Sequence, residues 1–267
     1  MTDRTRRRVL AGLAATTGLS GCVVTGEGRT VEETNTTTHE AGESLVIDGR
    51  AGDVTVEGTD RDDVEVRATK RAASEDDLDD VSLSVDRSDG RLELSVERED
   101  SWFRFGAAPR MDLHVTVPAD IRAERIDVAS GDVELAGVHG PTTVDTSSGG
   151  VRVRDVDGDV TVDTSSGDAE VIDAAGDVTV EASSGDLTVT NPGGDVDASA
   201  SSGDASIRFP AESGATLSVE TSSGGIDTTG FDASTDGSTL TTTVGDGSRT
   251  VDVSTASGDV EIDVSGD

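Results

Sequence analysis

The chain has no tyrosine, one tryptophan, four phenylalanines, one cysteine and one lysine among its 267 residues. An aromatic content of 2% excludes an ordinary core built on large rings, so a packed interior must come from small aliphatic side chains. With Cys22 the sole cysteine, an internal disulfide is excluded. Cations are scarce as well: Lys and Arg number 21 against 55 Asp and Glu, for a net charge of −34, and Lys70 is the one lysine. That balance argues against nucleic acid as a partner, because phosphates demand a cationic face. The three histidines, His39, His114 and His139, are scattered, which leaves no cluster for zinc and no Cys-His pair for nucleophilic catalysis. Carboxylates are so numerous that pairs at glycosidase spacing arise by chance and carry no weight. These shortages point to a non-enzymatic chain.

The acidity is spread throughout, Asp outnumbers Glu, and Arg nearly replaces Lys. This resembles a surface made for concentrated salt, where a short Debye length screens self-repulsion. At the start, Thr5-Arg6-Arg7-Arg8-Val9-Leu10 resembles a twin-arginine export motif, with Arg6 and Arg7 as its pair. The apolar stretch that follows, from Ala11 to Leu19, is too short to span a bilayer. Leu19-Ser20-Gly21-Cys22 then matches a lipobox, in which the thiol of Cys22 takes a diacylglyceryl lipid. Residues 1–21 therefore read as a lipoprotein signal peptide of haloarchaeal type, and the expected location is extracytoplasmic, anchored to the outer face of the cell membrane. Loss of those residues removes four arginines and one aspartate and leaves a charge of −37. Residues 22–43 are rich in Thr and Glu without an apolar period and read as a tether. Within them Asn35-Thr36-Thr37 fits the N-glycosylation pattern, which makes Asn35 a candidate acceptor.

What the chain has in abundance is glycine in a fixed rhythm. Glycines stand at 131, 140, 149, 158, 167, 176, 185, 194 and 203, one every nine residues. Alternate members follow serine, as in Ser165-Ser166-Gly167, so the unit is eighteen residues in two unlike halves, the signature of a stacked solenoid. Superposing residue i on i+18 gives apolar rows. Thr142, Val160, Val178 and Val196 form one, and Val144, Val162, Val180 and Ala198 the next. The other half gives Val133, Val151, Ala169, Leu187 and Ala205, then Leu135, Val153, Val171, Val189 and Ile207, with Val138, Val156, Ala174 and Pro192 as a fifth row.

Nine residues allow a strand of about five and a corner of about four, so the fold class is all-β, a parallel β-helix with two short strands per coil. Glycine at each corner would supply a left-handed backbone conformation that a Cβ disfavours by about 1–2 kcal/mol. The register also places Arg152 between Glu134 and Glu170. It stacks Asp159, Asp177 and Asp195 in one acidic row and Asp168, Asp186 and Asp204 in another. At strand spacing each such pair repels by about 0.9 kcal/mol in water, so salt or loosely bound cations are expected there.

Around the regular stretch of 129–208 lie two less regular regions. In 44–128, alternating runs such as Leu45-Val46-Ile47, Leu92-Glu93-Leu94-Ser95-Val96 and Leu113-His114-Val115-Thr116-Val117 predict half-buried strands. Ser88-Asp89-Gly90-Arg91 predicts a hairpin turn, and Ser74 to Asp80 a loop. Ser101-Trp102-Phe103-Arg104-Phe105 reads as a segment that plugs an open sheet edge, or else as an aromatic loop for sugar or a partner. Residues 209–267 read as irregular coils and a cap.

Gly52-Asp53-Val54-Thr55-Val56, then Leu113-His114-Val115-Thr116-Val117-Pro118, then repeated Ser-Ser-Gly-Asp units resemble the adhesin-type β-strand-repeat family, a cell-surface domain of unknown function. The resemblance spans about Ser44 to Asp267. It implies a right-handed parallel β-helix-like fold and brings no catalytic residues with it. The functional expectation is a lipid-anchored adhesin or envelope scaffold that meets an envelope protein or a surface glycan, with the membrane as its other partner. The alternatives are an envelope-stress sensor or accessory subunit, a calcium-binding β-roll, and a polysaccharide-active β-helix enzyme.

Overall fold

Residues two apart in each short run share a face. In the computed structural model, which describes residues 21–25, 30–99, 108–210, 212–233, 235 and 237–264, that alternation resolves into two long sheets. The chain opens with β1 (Gly21–Thr25), β2 (Thr30–Glu40), β3 (Ser44–Ala51), β4 (Val54–Thr59) and β5 (Asp63–Ala72), then one helical turn, α1 (Glu75–Leu78). It continues through β6 (Val81–Ser88), β7 (Arg91–Arg98), β8 (Arg110–Pro118) and β9 (Arg122–Ser130). The glycine-punctuated stretch supplies β10 (Val133–Ala136), β11 (Thr142–Thr146), β12 (Val151–Val156), β13 (Val160–Thr164), β14 (Ala169–Ala174), β15 (Val178–Ser184), β16 (Leu187–Thr190), β17 (Val196–Ser202) and β18 (Ala205–Arg208). Last come β19 (Ala215–Thr221), β20 (Ile226–Thr229), β21 (Thr239–Val244), β22 (Arg249–Thr255) and β23 (Val260–Asp263).

Sheet A has twelve strands in the order β1-β2-β5-β8-β4-β10-β12-β14-β16-β18-β23-β20. Sheet B has eleven, β21-β19-β22-β17-β15-β13-β11-β9-β3-β7-β6. Through the middle of both, residue i pairs in parallel with residue i+18: Val133 with Val151, Val151 with Ala169, Val144 with Val162, Val162 with Val180. The rows Val133 to Ala205 and Leu135 to Ile207 are buried on the inner face of sheet A, and Val144, Val162, Val180 and Ala198 on that of sheet B. Each fully buried Val or Leu stabilises the stack by about 1.5–3 kcal/mol.

The two corners of a coil differ. At the Ser-Gly-Asp corner, Gly149 and Gly167 have φ of 134° and 145°, and a Cβ on Gly167 would collide with the carbonyl oxygen of Gly149. The aspartate after the glycine accepts the backbone N–H of its counterpart one coil on: Asp168 Oδ1 from Asp186 at 2.9 Å, Asp186 Oδ1 from Asp204 at 2.9 Å. At the opposite corner the left-handed residues are Asp155, Asp173 and Asn191, with φ of 54°, 55° and 52°. In the first of these coils Gly137 and Gly140 are left-handed, with φ of 67° and 78°, but Gly158, Gly176 and Gly194 are not, so the expectation that glycine bends this corner holds at Gly140 and is corrected at the other three. Gly176 is needed there because the coils nearly touch, and a Cβ would collide with Asp159 Oδ1. Asp and Asn tolerate the left-handed region through local hydrogen bonds.

The same ladder extends beyond 129–208. Val54 of β4 pairs with Val133 of β10, and Gly52 has a φ of 133°. Val251 of β22 pairs with Val196 of β17. At each end the stack departs from chain order: β3 and β4 lie between the β7–β8 and β9–β10 levels, and β22 and β23 between the β17–β18 and β19–β20 levels. Antiparallel strands finish the ends, with β6 on β7, β5 on β8 and β21 on β19.

Two local expectations need correction. The tether of 22–43 contains β1 and β2, and β2 pairs with β5 along its whole length, from Val31 with Ala72 to Glu40 with Asp63. Its strand character has no signal in the sequence because it lies near the end of sheet A, where Thr and Glu occupy both faces and no apolar period is needed. The loop of Ser74–Asp80 contains α1, capped by Ser74, whose Oγ accepts the N–H of Asp77 at 3.3 Å, and held by burial of Leu78. The predicted hairpin turn has Asp89 and Gly90 at φ of 51° and 79°, as a type I′ turn requires.

These corners make opposite forecasts for two neighbouring glycines. Gly167→Ala should lower stability by at least about 2 kcal/mol, from backbone strain and the steric clash. Gly150 stands where other coils carry aspartate, is not left-handed, and has room for a side chain, since a Cβ there would meet no atom closer than 3.6 Å. Gly150→Asn should complete the ladder by accepting the N–H of Asp168 and raise stability by about 1 kcal/mol. Denaturant midpoints of the two variants check both signs.

Candidate functional site

The outward residues of sheet B form rows along the stack. One row runs Asp48, Asp127, Asp145, Asp163 and Glu181, each the register partner of the next. It continues as Ser199, Ser254 and Glu220. Beside it runs a second row of Arg125, Thr143, Thr161, Thr179 and Asp197. Arg125 meets the carboxylates of Asp127 at 3.1 Å and Asp145 at 2.8 Å. Burial pushes the Asp145 carboxyl above its ordinary value; Arg125 opposes that shift, and Asp127 and Asp163 add to it.

Where this row changes from carboxylate to serine the surface sinks. A depression of about 430 Å³ is floored by Ser199 and Ser254, edged by Ser183 and Ser201, and closed along the stack by Glu181 and Glu220. At the same level of the stack, on sheet A, a second depression of about 610 Å³ is lined by Thr188, Ser206, Asp204, Asp227, Asp259 and Glu261. Both offer hydroxyls that donate and accept and carboxylates that accept. Such walls suit a polyhydroxylated or cationic partner, bound by hydrogen bonds and charge.

The acidic rows expected to need cations have a structural partner. Asp159 Oδ1 accepts the N–H of Asp177 at 2.9 Å, Asp177 Oδ1 that of Asp195 at 2.8 Å, and Asp195 Oδ1 that of Thr250 at 2.7 Å. Asp168, Asp186 and Asp204 repeat this at the other corner, the last accepting from Asp259 at 2.7 Å. Backbone dipoles thus relieve carboxylates that, taken as bare charges, repel. Among the described residues no three His, Cys, Asp or Glu side chains gather as a metal group would require. Arg152 is paired with Glu134 and Glu170 in register and donates to Glu170 Oε2 at 2.5 Å.

Cys22 lies in β1 opposite Glu33 of β2, at the far end of sheet A from both depressions. Asn35 is exposed on β2. His39, expected on a tether, is a partly buried strand residue whose Nε2 lies 2.9 Å from Thr37 Oγ1; burial, then Arg87, hold its imidazole below the ordinary value. His114 is on β8, 3.9 Å from Glu57, and His139 meets Asp157 at 3.1 Å, so the three stay apart. Arg6, Arg7 and the Ser101–Phe105 segment lie outside the described residues. The mid-strand carboxylate row is a feature that the corner-centred reading of the sequence misses, although Asp127, Asp145, Asp163 and Glu181 are spaced by the same eighteen residues as the glycines.

The raised Asp145 carboxyl fixes the sign of a pH effect. A group raised above its unfolded value contributes stability that is present below the unfolded pKa and lost as pH rises through the folded one. Asp145→Asn should therefore raise the unfolding midpoint at neutral pH and low salt. The gain should vanish in acid, as thermal melts across pH will show.

No protein of curated function matches the chain. Among solved structures, a candidate adhesin of Bacteroides fragilis is 15% identical, covering 86% of this chain and 97% of its own, with a TM-score of 0.49. A candidate adhesin of Parabacteroides distasonis is 15% identical over 86% and 96%, TM-score 0.43. A candidate cell adhesion protein of Clostridium sporogenes is 12% identical over 87% and 99%, TM-score 0.39. A family profile matches residues 43–263, from the strand before the first Gly-Asp corner through β23, and the chain belongs to that family, Toastrack DUF4097.

Proposed function

We propose that the chain is exported by the twin-arginine route, carries a diacylglyceryl lipid on Cys22, and acts on the outer face of the membrane as an adhesin or envelope scaffold. The observation that carries this reading is the separation of its two ends. The strand that holds Cys22 begins sheet A, and the hydroxyl and carboxylate depressions lie among its last four strands and at the matching level of sheet B. At about 4.8 Å per strand the depressions stand roughly 40–50 Å from the anchoring strand. A ladder of backbone hydrogen bonds joins the two, so the stack works as a spacer that holds a polar contact surface away from the lipid. The partner is an envelope protein or a surface glycan. Hydroxyl rows meet its polar groups, and loosely held cations bridge the carboxylates to it.

Two substitutions separate the anchor from the contact surface. Cys22→Ala should move the protein from the membrane fraction to the medium; retention in the membrane would contradict the lipid anchor. Ser254→Trp, at an exposed position on the floor of the sheet B depression, should leave the protein in the membrane and abolish attachment of the cells that display it. Unchanged attachment would contradict a role for that depression.

A further inference from the structure

The order of coils in the stack is not their order in the chain. β22 and β23 sit directly on β17 and β18, with Val196 beside Val251 and Ala205 beside Val260. β19 and β20, made earlier in the chain, lie on their far side, with Leu217 beside Val251 and Ile226 beside Val260. Residues 249–264 thus fill a slot between two coils already laid down. They enter it from a short turn in which Gly245 and Gly247 have φ of 60° and 65°.

The walls of the slot match each other. Asp252 is flanked by Asp197 and Ser218, Val253 by Ala198 and Val219, Ser254 by Ser199 and Glu220. If the coil left, β19 and β20 could close directly on β17 and β18 with apolar residues facing apolar ones and, at these three levels, no carboxylate opposite another. Withdrawal therefore loses two coil interfaces and regains one. The coil itself repeats the pattern of its neighbour. Residues 196–207 and 251–262 share V-D-x-S-x-x-S-G-D-x-x-I, so the coil stacks on its neighbour as the regular coils do, and because copies are identical in sequence the slot of one cannot distinguish its own inserted coil from that of another. Its specific fastenings would be the same in either case: the Arg249 guanidinium 6.0 Å from the Phe209 ring centre and donating to the Pro192 carbonyl, and Arg208 on Asp263 at 2.9 Å.

We propose that residues 249–264 are an exchangeable coil, withdrawn from their own slot and seated in that of a second copy, so that copies join through each other's inserted coil. Both depressions straddle this coil, Ser254 in one and Asp259 and Glu261 in the other, so a ligand held in either also holds the coil in place. The proposal is independent of the lipid anchor and of adhesion, and its test reads neither.

Two populations of full-length chain, one carrying Ser199→Cys and the other Ser254→Cys, each with Cys22→Ser, are mixed as folded proteins and, separately, refolded together from denaturant. Register partners at strand spacing are within disulfide reach. Exchange predicts an interchain disulfide in excess, on the order of tenfold, over a control pair of Ser84→Cys with Ser254→Cys, since Ser84 is exposed on β6 and has no register contact with the coil. Excess in either regime supports exchange. Cross-linking no higher than the control in both would overturn it.

Discussion

The backbone hydrogen bond between one coil and the next, repeated every eighteen residues, is the constraint on which the rest of this molecule depends. It stacks residue i beside i+18, so a choice made once in sequence recurs as a row in space. Valine becomes a buried rib, aspartate an edge ladder, threonine or glutamate an outer stripe. With 2% aromatic residues the chain has few large side chains to lock a core, and register takes that role instead. The corners keep the register from slipping, because the Ser-Gly-Asp corner admits no Cβ at its glycine and ties each carboxylate to the backbone of the next coil.

That corner bond also changes how the charge should be read. A net charge of −34 on stacked coils suggests repulsion at every level, yet the corner carboxylates are held by N–H groups that the bend leaves available. Repulsion concentrates on the outer face of sheet B, where Asp127, Asp145 and Asp163 have the neighbour row's Arg125 among them, and where burial, with Asp127 and Asp163, pushes Asp145 upward against Arg125. Sheet A differs, since Arg152 there stands between Glu134 and Glu170. The two faces therefore present different chemistry to a partner although they share one core.

Much of this is legible from glycine spacing alone. The eighteen-residue unit identifies the inward valines, the Glu134–Arg152–Glu170 row and the glycine-bent corner at Gly149 and Gly167. At the other corner it holds for Gly140 and fails for Gly158, Gly176 and Gly194, because nine-residue spacing cannot distinguish a glycine that bends the chain from one, like Gly176, that lets two coils touch. It passes over β2, whose Thr and Glu carry no apolar period because the end of a sheet does not impose one. Nor can it order the ends. The coils of 196–208, 217–229 and 251–263 alternate apolar and polar residues alike, so pattern says that each can stack and is silent on which stacks upon which.

The exposed aspartate corners are hydrogen-bonded parts of the ladder. Residue-resolved amide hydrogen exchange tests it most directly, read at Asp177, Asp186, Asp195 and Asp204, whose side chains face solvent while their N–H groups reach the preceding coil's carboxylate. Protection comparable to that of strand amides such as Val162 and Val171 is expected. Exchange at the rate of an open loop at these four positions, with the strands protected, would contradict it.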